Sequence, residues 1–207
     1  MKLIVFGANG RQGSRLVSEA LARGHEVTAA VHDTARAGNV DPRARIAVAD
    51  ASDPASIHAV AANHDAALLA TGGGRHADVA RAMLSGLSQA GVRRLVVVGG
   101  AGSLFVPSGV RLVDTPDFHD EWKPDALSQA EALDLYQAAD TEVDWTYVSP
   151  GAILAPGERT GRYRTGGDQL LAGDNGRSEI SMEDFAAALL DEVEQGRHVR
   201  QRVTAAW

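Results

Sequence analysis

Three glycines near the start of the chain carry the clearest chemical pattern. Gly7, Gly10 and Gly13 follow the apolar run Leu3 to Phe6 and precede an amphipathic segment. In a strand, loop and helix, the first glycine permits a tight turn, the second lets backbone approach a pyrophosphate, and the third allows close packing. The helix start adds free N–H groups for phosphates. The spacing predicts a dinucleotide-binding loop that includes Asn9, Arg11 and Gln12; no Gly-Lys-Ser or Gly-Lys-Thr of a triphosphate loop follows.

The end of the second apolar run indicates which dinucleotide binds. His32 and Asp33 follow Val31, and Arg36 comes a turn later, where an NAD-binding protein usually has an acidic residue for the ribose hydroxyls. With Arg11, these residues favour the extra phosphate of NADP(H), and we predict NADP(H) over NAD(H). Asp33 is a competing feature, and Arg36 has the alternative interpretation of a solvated charge.

The catalytic group is harder to find. The segment Ala126 to Ala139 holds no Tyr-x-x-x-Lys pair, and Tyr136 is followed four residues later by Asp140, which would raise a phenol pKa. We predict Ser103 and His119 as candidate catalytic residues and His76 and Tyr163 as substrate contacts. Arg159 and Arg162 are weaker candidates for an anionic substrate. A capping serine, solvated histidines and surface arginines are the alternative interpretations.

Other kinds of site are excluded or disfavoured by the sequence. The chain has no cysteine, its seven histidines lack metal-binding spacings, and no Gly-x-Ser-x-Gly is present, so we expect no metal site and no thiol or serine-elbow nucleophile. With 20 Lys and Arg against 27 Asp and Glu, a net charge of −7 argues against nucleic acid and anionic membranes. The run Leu3 to Phe6 is too short for a signal or a membrane span, and we expect a cytoplasmic protein.

The elements that would position these residues alternate regularly. Nearly continuous apolar runs predict six parallel strands, and amphipathic stretches between them predict four helices. The expected strands are Leu3 to Phe6, Glu26 to Val31, Arg45 to Ala49, Ala66 to Ala70, Leu95 to Val98 and Trp145 to Val148. The expected helices are Arg11 to Arg23, Asp53 to Ala62, Ala77 to Ala90 and Ala126 to Ala139. This order predicts an α/β, doubly wound, mostly parallel sheet.

The regular alternation of strands and helices stops in the last third of the chain. From Pro150 to Asn175 it is rich in Gly, Pro, Arg and Asp, which predicts loop with one short strand near Arg162 to Thr165. Ser181 and Asp184 resemble a capping box before a helix ending near Glu194, and Val199 to Thr204 should form a last strand at the sheet edge. We expect a single domain over 1–207, with a cofactor-binding core in 1–150 and a loop-rich, substrate-covering elaboration in 151–207.

Five stretches make the chain resemble the atypical short-chain dehydrogenases. They are GANGRQG at 7–13, VVVGGAGSL at 96–104, DWTYVSPGAI at 144–153, PGERTGRYRTGGD at 156–168 and ISMEDFAAALLDE at 180–192. Within these enzymes the chain is similar to the NAD(P)H-binding group of NADH-flavin reductases, related to biliverdin reductase B and NmrA-like proteins. The resemblance implies a Rossmann fold, with Gly99 to Ser103 edging the active site. It also implies three sets of cofactor contacts: Asp50 at the adenine; Thr71 and Gly72 at the ribose; and Ser149, Pro150, Gly151, Ala152 and Ile153 at the nicotinamide. We also predict Ala51 and Gly73 as cofactor contacts.

These features lead to one preferred function and two alternatives. We expect an NAD(P)H-dependent oxidoreductase that transfers hydride to a small conjugated acceptor, such as a flavin (FMN or FAD) or a quinone, without a Tyr-x-x-x-Lys pair. A non-enzymatic NADP(H) sensor of the NmrA-like type is the alternative, and an epimerase on the same fold is a third hypothesis. The expected partner is a small-molecule acceptor, and the chain is expected to be a monomer or a homodimer.

Overall fold

A central sheet with helices on both faces organises the molecule. The structure, a computed structural model, describes residues 1–174 and 176–207, except for the side chain of Arg36. The predictions that named Asn175 as a loop end and the Arg36 side chain as a phosphate contact therefore lie outside the described part.

The strands are β1 Lys2–Phe6, β2 Glu26–Val31, β3 Arg45–Val48, β4 Ala66–Leu69, β5 Arg94–Val98, β6 Asp144–Pro150, β7 Ile153–Ala155, β8 Arg164–Gly166, β9 Glu179–Ser181 and β10 Gln201–Ala206. The helices are α1 Arg11–Ala22, α2 Pro54–Ala61, α3 His76–Ala90, α4 Lys123–Ala138 and α5 Met182–Gln195.

The strand order confirms the expected architecture. The large sheet runs β3-β2-β1-β4-β5-β6-β10-β8, and the six strands expected from the sequence are all parallel. Strands β7 and β9 form a separate two-stranded sheet. Between β1 and β4 the direction of winding reverses, and ligands of doubly wound sheets bind outside the strand ends at such a point.

The prediction for the last strand is wrong in its position. β10 does not lie at the sheet edge: it pairs in parallel with β6 and antiparallel with β8, which is the edge strand. Val203, Ala205 and Ala206 of β10 are buried, as expected for a strand with a neighbour on each side. The short strand expected at Arg162 to Thr165 is β8, two residues later at its start.

Alternate residues of the strands feed two apolar cores. Leu3 and Val5 face the core under α1 and α5, whereas Ile4 and Phe6 face the core under α2, α3 and α4. Because each strand is covered on both faces, nearly every side chain in its middle must be apolar, which explains the continuous apolar runs in the sequence.

Helix ends follow the local chemistry with two differences from expectation. The Asp53 carboxylate accepts a hydrogen bond from the Ala55 N–H, and Pro54 opens α2. The Ser181 hydroxyl likewise caps α5 by accepting from the Asp184 N–H. Asp184 does not complete the capping box, because its carboxylate accepts hydrogen bonds from Thr160 and Gly161. Helix α4 begins at Lys123, three residues before the expected start, with Pro124 in its first turn.

Part of the C-terminal third lies along α1 and α5. The Arg159 guanidinium pairs with Glu19 of α1, the Gly157 N–H donates to Glu183 of α5, and the Tyr163 hydroxyl donates to the Asp191 carboxylate of α5. We call residues 157–163 the strap. These contacts hold the strap against α1 and α5, and the substrate-covering role of residues 151–207 stays a prediction. No helix in the described part of the chain is long and apolar enough to cross a membrane.

Candidate functional site

The candidate site lies where the loops after β1 and β4 meet. The glycine loop leads from β1 into α1, and the loop 70–75 leads from β4 into α3. Both loops stand at the carboxyl ends of adjacent parallel strands, at the point where the winding reverses. The first turn of α1 has no side-chain cap, since Gly10 is its N-cap residue. Its first N–H groups have no partners within the helix, and such groups can bind an anionic ligand.

Each of the three glycines has its own physical reason. Gly7 adopts φ of 76°, and a Cβ there would lie 2.5 Å from the Ala70 carbonyl oxygen. A Cβ at Gly13 would lie 2.0 Å from the Gly7 carbonyl oxygen, so the close packing of α1 against the loop requires glycine. A Cβ at Gly10 would meet the same oxygen at 3.2 Å, a tight but tolerable approach. The fold alone therefore requires glycine at position 10 less strictly than at positions 7 and 13, and a Cβ at position 10 would mainly hinder a ligand that approaches the loop.

A cavity of about 320 Å³ opens beside this loop. It collects most of the residues predicted for the first half of the cofactor, namely Gly7, Asn9, Gly10, His32, Asp50, Ala51, Thr71, Gly72 and Gly73. Phe6, Ala30, Ala49 and Val79 provide apolar walls. These residues come from the ends of β1, β2, β3 and β4, so the fold brings together four loops that the sequence keeps far apart.

Polar groups at one end of the cavity are held in fixed orientations. One Asp50 oxygen accepts hydrogen bonds from the Ser52 hydroxyl at 2.7 Å and the Ser52 N–H at 2.8 Å. These bonds hold the pKa of Asp50 below its usual value, so the group is an ionised acceptor at neutral pH. The His32 Nε2 atom lies 3.9 Å from the other Asp50 oxygen, and the His32 side chain is 81% exposed. Asp33 does not line the cavity, and one oxygen of its carboxylate caps the 3-10 helix Thr34–Asn39 through the Ala35 N–H.

Sequence reasoning missed Arg75. It also lines the cavity, and its charge helps to lower the pKa of Asp50. The Arg75 Nε atom lies 3.6 Å from Asp78 in the next turn, and 68% of the side chain is exposed. The sequence feature that could have identified Arg75 is its position directly after Gly72 to Gly74 and before α3, because the loop that follows β4 lies at the site.

The residues predicted for the second half of the cofactor lie farther along the sheet. Ser149 and Pro150 end β6, and the N–H groups of Gly151 and Ala152 are already used by the Ala205 carbonyl and the Ser178 hydroxyl. The Ser149 hydroxyl is buried without a hydrogen-bond partner, and so is the amide oxygen of Gln12, whose nitrogen donates to the Met182 carbonyl. Two unpaired buried acceptors are costly unless a ligand or water meets them.

The two candidate catalytic residues have different surroundings. Ser103 follows β5, and its hydroxyl accepts a hydrogen bond of 2.9 Å from Arg202, which also pairs with Asp168. The Ser103 hydroxyl thus has a fixed partner on β10. His119 is exposed, and its ring packs on Trp122 with the centroids 4.4 Å apart.

The two candidate substrate residues also have hydrogen-bond partners within the protein. The His76 Nε2 atom lies 3.0 Å from an Asp125 oxygen, which links the start of α3 to the start of α4. Tyr163 belongs to the strap, bonds Asp191 and is not among the residues lining the glycine-loop cavity. Both burial and Asp191 raise the pKa of Tyr163, and Asp191 explains its position better than a substrate does. Arg159 is likewise used by Glu19.

Helix α4 supplies no activated tyrosine. Tyr136 is buried, its hydroxyl has no partner, and burial raises the pKa of the phenol far above its ordinary value. Asp140, the neighbour suspected from the sequence, is not among the causes of that shift. A phenol of this kind cannot act as an acid or base near neutral pH. Within residues 1–174 and 176–207, no group of three His, Asp or Glu side chains is placed to hold a metal ion.

The residues present fit a pyridine dinucleotide. The cradle beside Gly10, the uncapped start of α1 and the carboxylate of Asp50 provide a place for pyrophosphate and ribose hydroxyls. Gln12 in the first turn of α1 and Ser149 at the end of β6 add unpaired buried acceptors.

Comparisons with known proteins agree with this assignment. The chain is 39% identical to the uncharacterized protein YwnB of Bacillus subtilis (strain 168), with 99% of this chain and 97% of YwnB covered. A Burkholderia pseudomallei structure described as a "putative exported protein" is 45% identical, with a TM-score of 0.90 and both chains covered completely. A Streptococcus pneumoniae TIGR4 structure described as a "putative NADH-flavin reductase" is 36% identical, with a TM-score of 0.87 and 100% and 99% of the two chains covered.

The family assignment rests on most of the chain. The model of the NAD(P)H-binding family matches residues 7–195, which begin at the first glycine of the loop and include every residue that lines the cavity except Phe6. The glycine loop, the reversal of strand order and a helix α4 without a Tyr-x-x-x-Lys pair agree with this match. The chain therefore belongs to the NAD(P)H-binding family of atypical short-chain dehydrogenase-like Rossmann proteins.

Proposed function

We propose that the protein is an NADPH-dependent oxidoreductase that reduces a small conjugated acceptor such as a flavin or a quinone. The observation that carries the proposal is the cavity between the glycine loop and the loop 70–75. A relative of 36% identity is described as a "putative NADH-flavin reductase", which supports the same class of reaction.

The proposed chemistry needs little from α4. When bound, the nicotinamide supplies a hydride, and the balanced reaction is NADPH, a proton and the acceptor giving NADP⁺ and the dihydro form of the acceptor. A flavin or quinone can take its proton from water, so an activated tyrosine is not required. The residues of the chain then hold the cofactor, orient the acceptor and restrict access of water.

The preference for NADPH rests on charges at the end of the cavity. One carboxylate oxygen of Asp33, the residue that would compete for ribose hydroxyls, accepts a hydrogen bond from the Ala35 N–H, and Asp33 does not line the cavity. His32 and Arg75 lie at the same end and are largely exposed, so a phosphate there would meet Arg75 without an obligatory loss of a buried ion pair. A charge-assisted hydrogen bond to phosphate contributes about 1.5–3 kcal/mol, which corresponds to a preference of tenfold or more.

The deciding experiment mixes purified protein with NADPH under anaerobic conditions and follows its absorbance. Riboflavin, FMN, FAD, quinones and biliverdin serve as acceptors, and NADH replaces NADPH in a parallel series. We expect faster oxidation of NADPH than of NADH with at least one acceptor. Tight binding of NADPH without oxidation by any acceptor would contradict the enzyme and favour the sensor.

The sensor is the second candidate, and one observation favours it. The only tyrosine of α4 is buried and unpaired, so the helix carries no group for carbonyl chemistry. In an NmrA-like sensor, occupancy of the glycine-loop cavity by NADP(H) would regulate a protein partner.

The roles of Ser103 and His119 are separable by substitution. Ser103→Ala removes the hydroxyl that Arg202 contacts, and His119→Ala removes the ring that packs on Trp122. If either residue donates the proton, its alanine variant should lower kcat about 100-fold, because general acid catalysis contributes on the order of 10²–10⁴-fold. An unchanged kcat excludes that residue as the donor.

Location and assembly are also part of the proposal. We place the protein in the cytoplasm as a monomer or a homodimer, without nucleic acid or membrane partners. Its 45% identical relative is described as a "putative exported protein", so cell fractionation with an antibody is the direct test of location. Sedimentation at several concentrations tests the oligomeric state.

A further inference from the structure

Three aromatic side chains gather just before α4. Trp122 is 55% exposed; the His119 ring lies 4.4 Å from it, centroid to centroid, and the Phe118 ring meets it edge to face at 6.4 Å. We call these three residues the aromatic cluster. In a chain with only 5% aromatic residues, an exposed tryptophan supported on two sides by other rings is a flat apolar surface open to solvent.

One set of contacts ties this region to the candidate site. Asp125, one turn after Trp122, bonds His76 at 3.0 Å, and the Ser128 hydroxyl donates to the Gly74 carbonyl at 2.9 Å. Gly74 immediately follows the loop residues that line the cavity. The start of α4 is therefore fixed to the loop 70–75, which follows β4.

A second set of contacts ties it to the loop after β5. A Cβ at Gly102 would lie 2.8 Å from the Ala126 Cβ, so α4 packs closely against that loop. The Gly102 carbonyl also accepts a hydrogen bond from the Val113 N–H. Since β4 and β5 are neighbours in the sheet, the start of α4, which directly follows the aromatic cluster, is held against the loops that leave the carboxyl ends of both strands. That is the side of the site opposite His32 and Asp50, which follow β2 and β3.

The surroundings of the cluster are acidic. Residues 111–125 contain five carboxylates and two basic side chains, which gives a net charge of −3 with His119 neutral. Arg111 pairs with Asp114, and Lys123 pairs with Asp120. Asp117, Glu121 and Asp125 remain as the excess negative charge.

Resting on the proposed function, we propose that the aromatic cluster binds the acceptor by stacking, and that the carboxylates around it select an uncharged planar acceptor over a phosphorylated one. Stacking of a flat conjugated ring on an aromatic side chain contributes about tenfold or more to affinity. A phosphate brought near the excess carboxylates is repelled, and salt weakens this repulsion. The acceptor class is thus an uncharged isoalloxazine or quinone, and FMN and FAD are poor substrates.

Riboflavin and FMN provide a matched pair of probes, because they share one ring system and differ by a phosphate. Binding is measured by the quenching and anisotropy of riboflavin fluorescence with NADP⁺ present, and turnover by NADPH oxidation. We expect Trp122→Ala to weaken riboflavin binding and raise its KM about tenfold, with the affinity for NADPH unchanged. Trp122→Phe should restore most of the loss. Leu127→Ala, which trims another exposed apolar residue of α4, is the control and should change neither value.

The charge selection has its own test. We expect the wild type to favour riboflavin over FMN severalfold in kcat/KM at low salt, and the ratio to approach one in Asp117→Asn with Glu121→Gln or at high salt. The matched control is Asp140→Asn with Glu142→Gln, which removes two exposed charges from the segment that leads into the amino end of β6, and it should leave the ratio unchanged.

The outcomes separate this inference from the proposed function. Riboflavin binding that depends on Trp122, without NADPH oxidation by any acceptor, would support the stacking surface and contradict the reductase. Turnover whose riboflavin KM and binding are unchanged in Trp122→Ala would support the reductase and overturn the stacking surface. Equal kcat/KM for riboflavin and FMN at low salt would overturn the charge selection.

Discussion

Arg159 donates two hydrogen bonds of 2.6 Å to Glu19, one to each carboxylate oxygen. The Glu19 side chain is only 7% exposed, and Arg23, directly after the end of α1, also bonds it. This pair joins the strap to α1 across 140 residues of sequence. It explains why Arg159 serves the fold here, although its position in a loop-rich segment suggested an anionic substrate.

The first prediction concerns the stability of this pair as a function of pH. The Arg159 hydrogen bonds hold the pKa of Glu19 below its ordinary value of 4.5, despite burial, which opposes the shift. Because the folded pKa is depressed, the stabilisation is fully present above about pH 4.5 and is lost as pH falls through the folded pKa. Glu19→Gln should therefore lower the free energy of unfolding at pH 7 by about 2 kcal/mol and by progressively less in acid.

Urea unfolding from pH 7 to pH 3 measures this difference. Asp140→Asn, at an exposed position outside the strap, is the control and should parallel the wild type. A gap between wild type and Glu19→Gln that stays constant down to pH 3 would show that the pair does not hold the Glu19 pKa down.

The second prediction separates two glycines of the same loop. Gly13→Ala places a Cβ 2.0 Å from the Gly7 carbonyl oxygen and should destabilise the protein by about 3 kcal/mol. Gly10→Ala places its Cβ 3.2 Å from that oxygen and should cost little stability, while it weakens NADPH binding at least tenfold by filling the space for pyrophosphate. Thermal unfolding and fluorescence titration with NADPH measure the two effects. Equal NADPH affinity in wild type and Gly10→Ala would argue against the pyrophosphate site.

The third prediction uses two buried tyrosines whose ring centroids lie 6.3 Å apart. The Tyr147 hydroxyl accepts from the Gly100 N–H and donates to the Gln129 carbonyl, whereas the Tyr136 hydroxyl has no partner. Tyr147→Phe should cost about 1–2 kcal/mol, because it leaves buried groups unsatisfied. Tyr136→Phe should leave stability and kcat within error, or stabilise slightly. A loss of more than tenfold in kcat for Tyr136→Phe would reinstate this tyrosine as a catalytic candidate.

The fourth prediction concerns the choice of cofactor. Arg75→Gln should weaken NADPH binding about tenfold and NADH binding much less, because only NADPH carries the additional phosphate. Arg81→Gln is the matched control: Arg81 lies in α3, which begins directly after Arg75, and also contacts Asp78, but it does not line the cavity. Dissociation constants for both cofactors in the three proteins decide the matter. Equal weakening of both cofactors by Arg75→Gln would remove Arg75 as the phosphate contact.

The fifth prediction tests a buried carboxylate. Asp184 is fully buried and accepts hydrogen bonds from Thr160, Gly161 and the indole N–H of Trp207. Asp184→Asn keeps the size but replaces one acceptor by a donor, and it should cost about 3 kcal/mol and alter the fluorescence of Trp207. Asp78→Asn, at an exposed position on α3, should do neither.

The outline of the fold was predictable from the sequence because both strands and glycines carry local signals. A strand buried on both faces must be apolar throughout, as Leu3 to Phe6 and Leu95 to Val98 are, and the glycine spacing reports the backbone shape of the loop. The position of β10 was not predictable in the same way. Its neighbour β8 is three residues long and reaches it by a long connection, so no local pattern revealed that β10 lies inside the sheet.

The features of the site also divide into those that the sequence predicts and those that depend on the tertiary structure. The sequence by itself determined the dinucleotide loop and the absence of a Tyr-x-x-x-Lys pair, because both depend on residue types at short spacing. Only the tertiary structure decided that Arg75 faces the cavity, that Asp33 caps a 3-10 helix, and that Arg159 and Tyr163 bind α1 and α5. Those roles depend on which charged partner lies within about 3 Å, and that distance is set by long-range packing, which residue spacing does not encode.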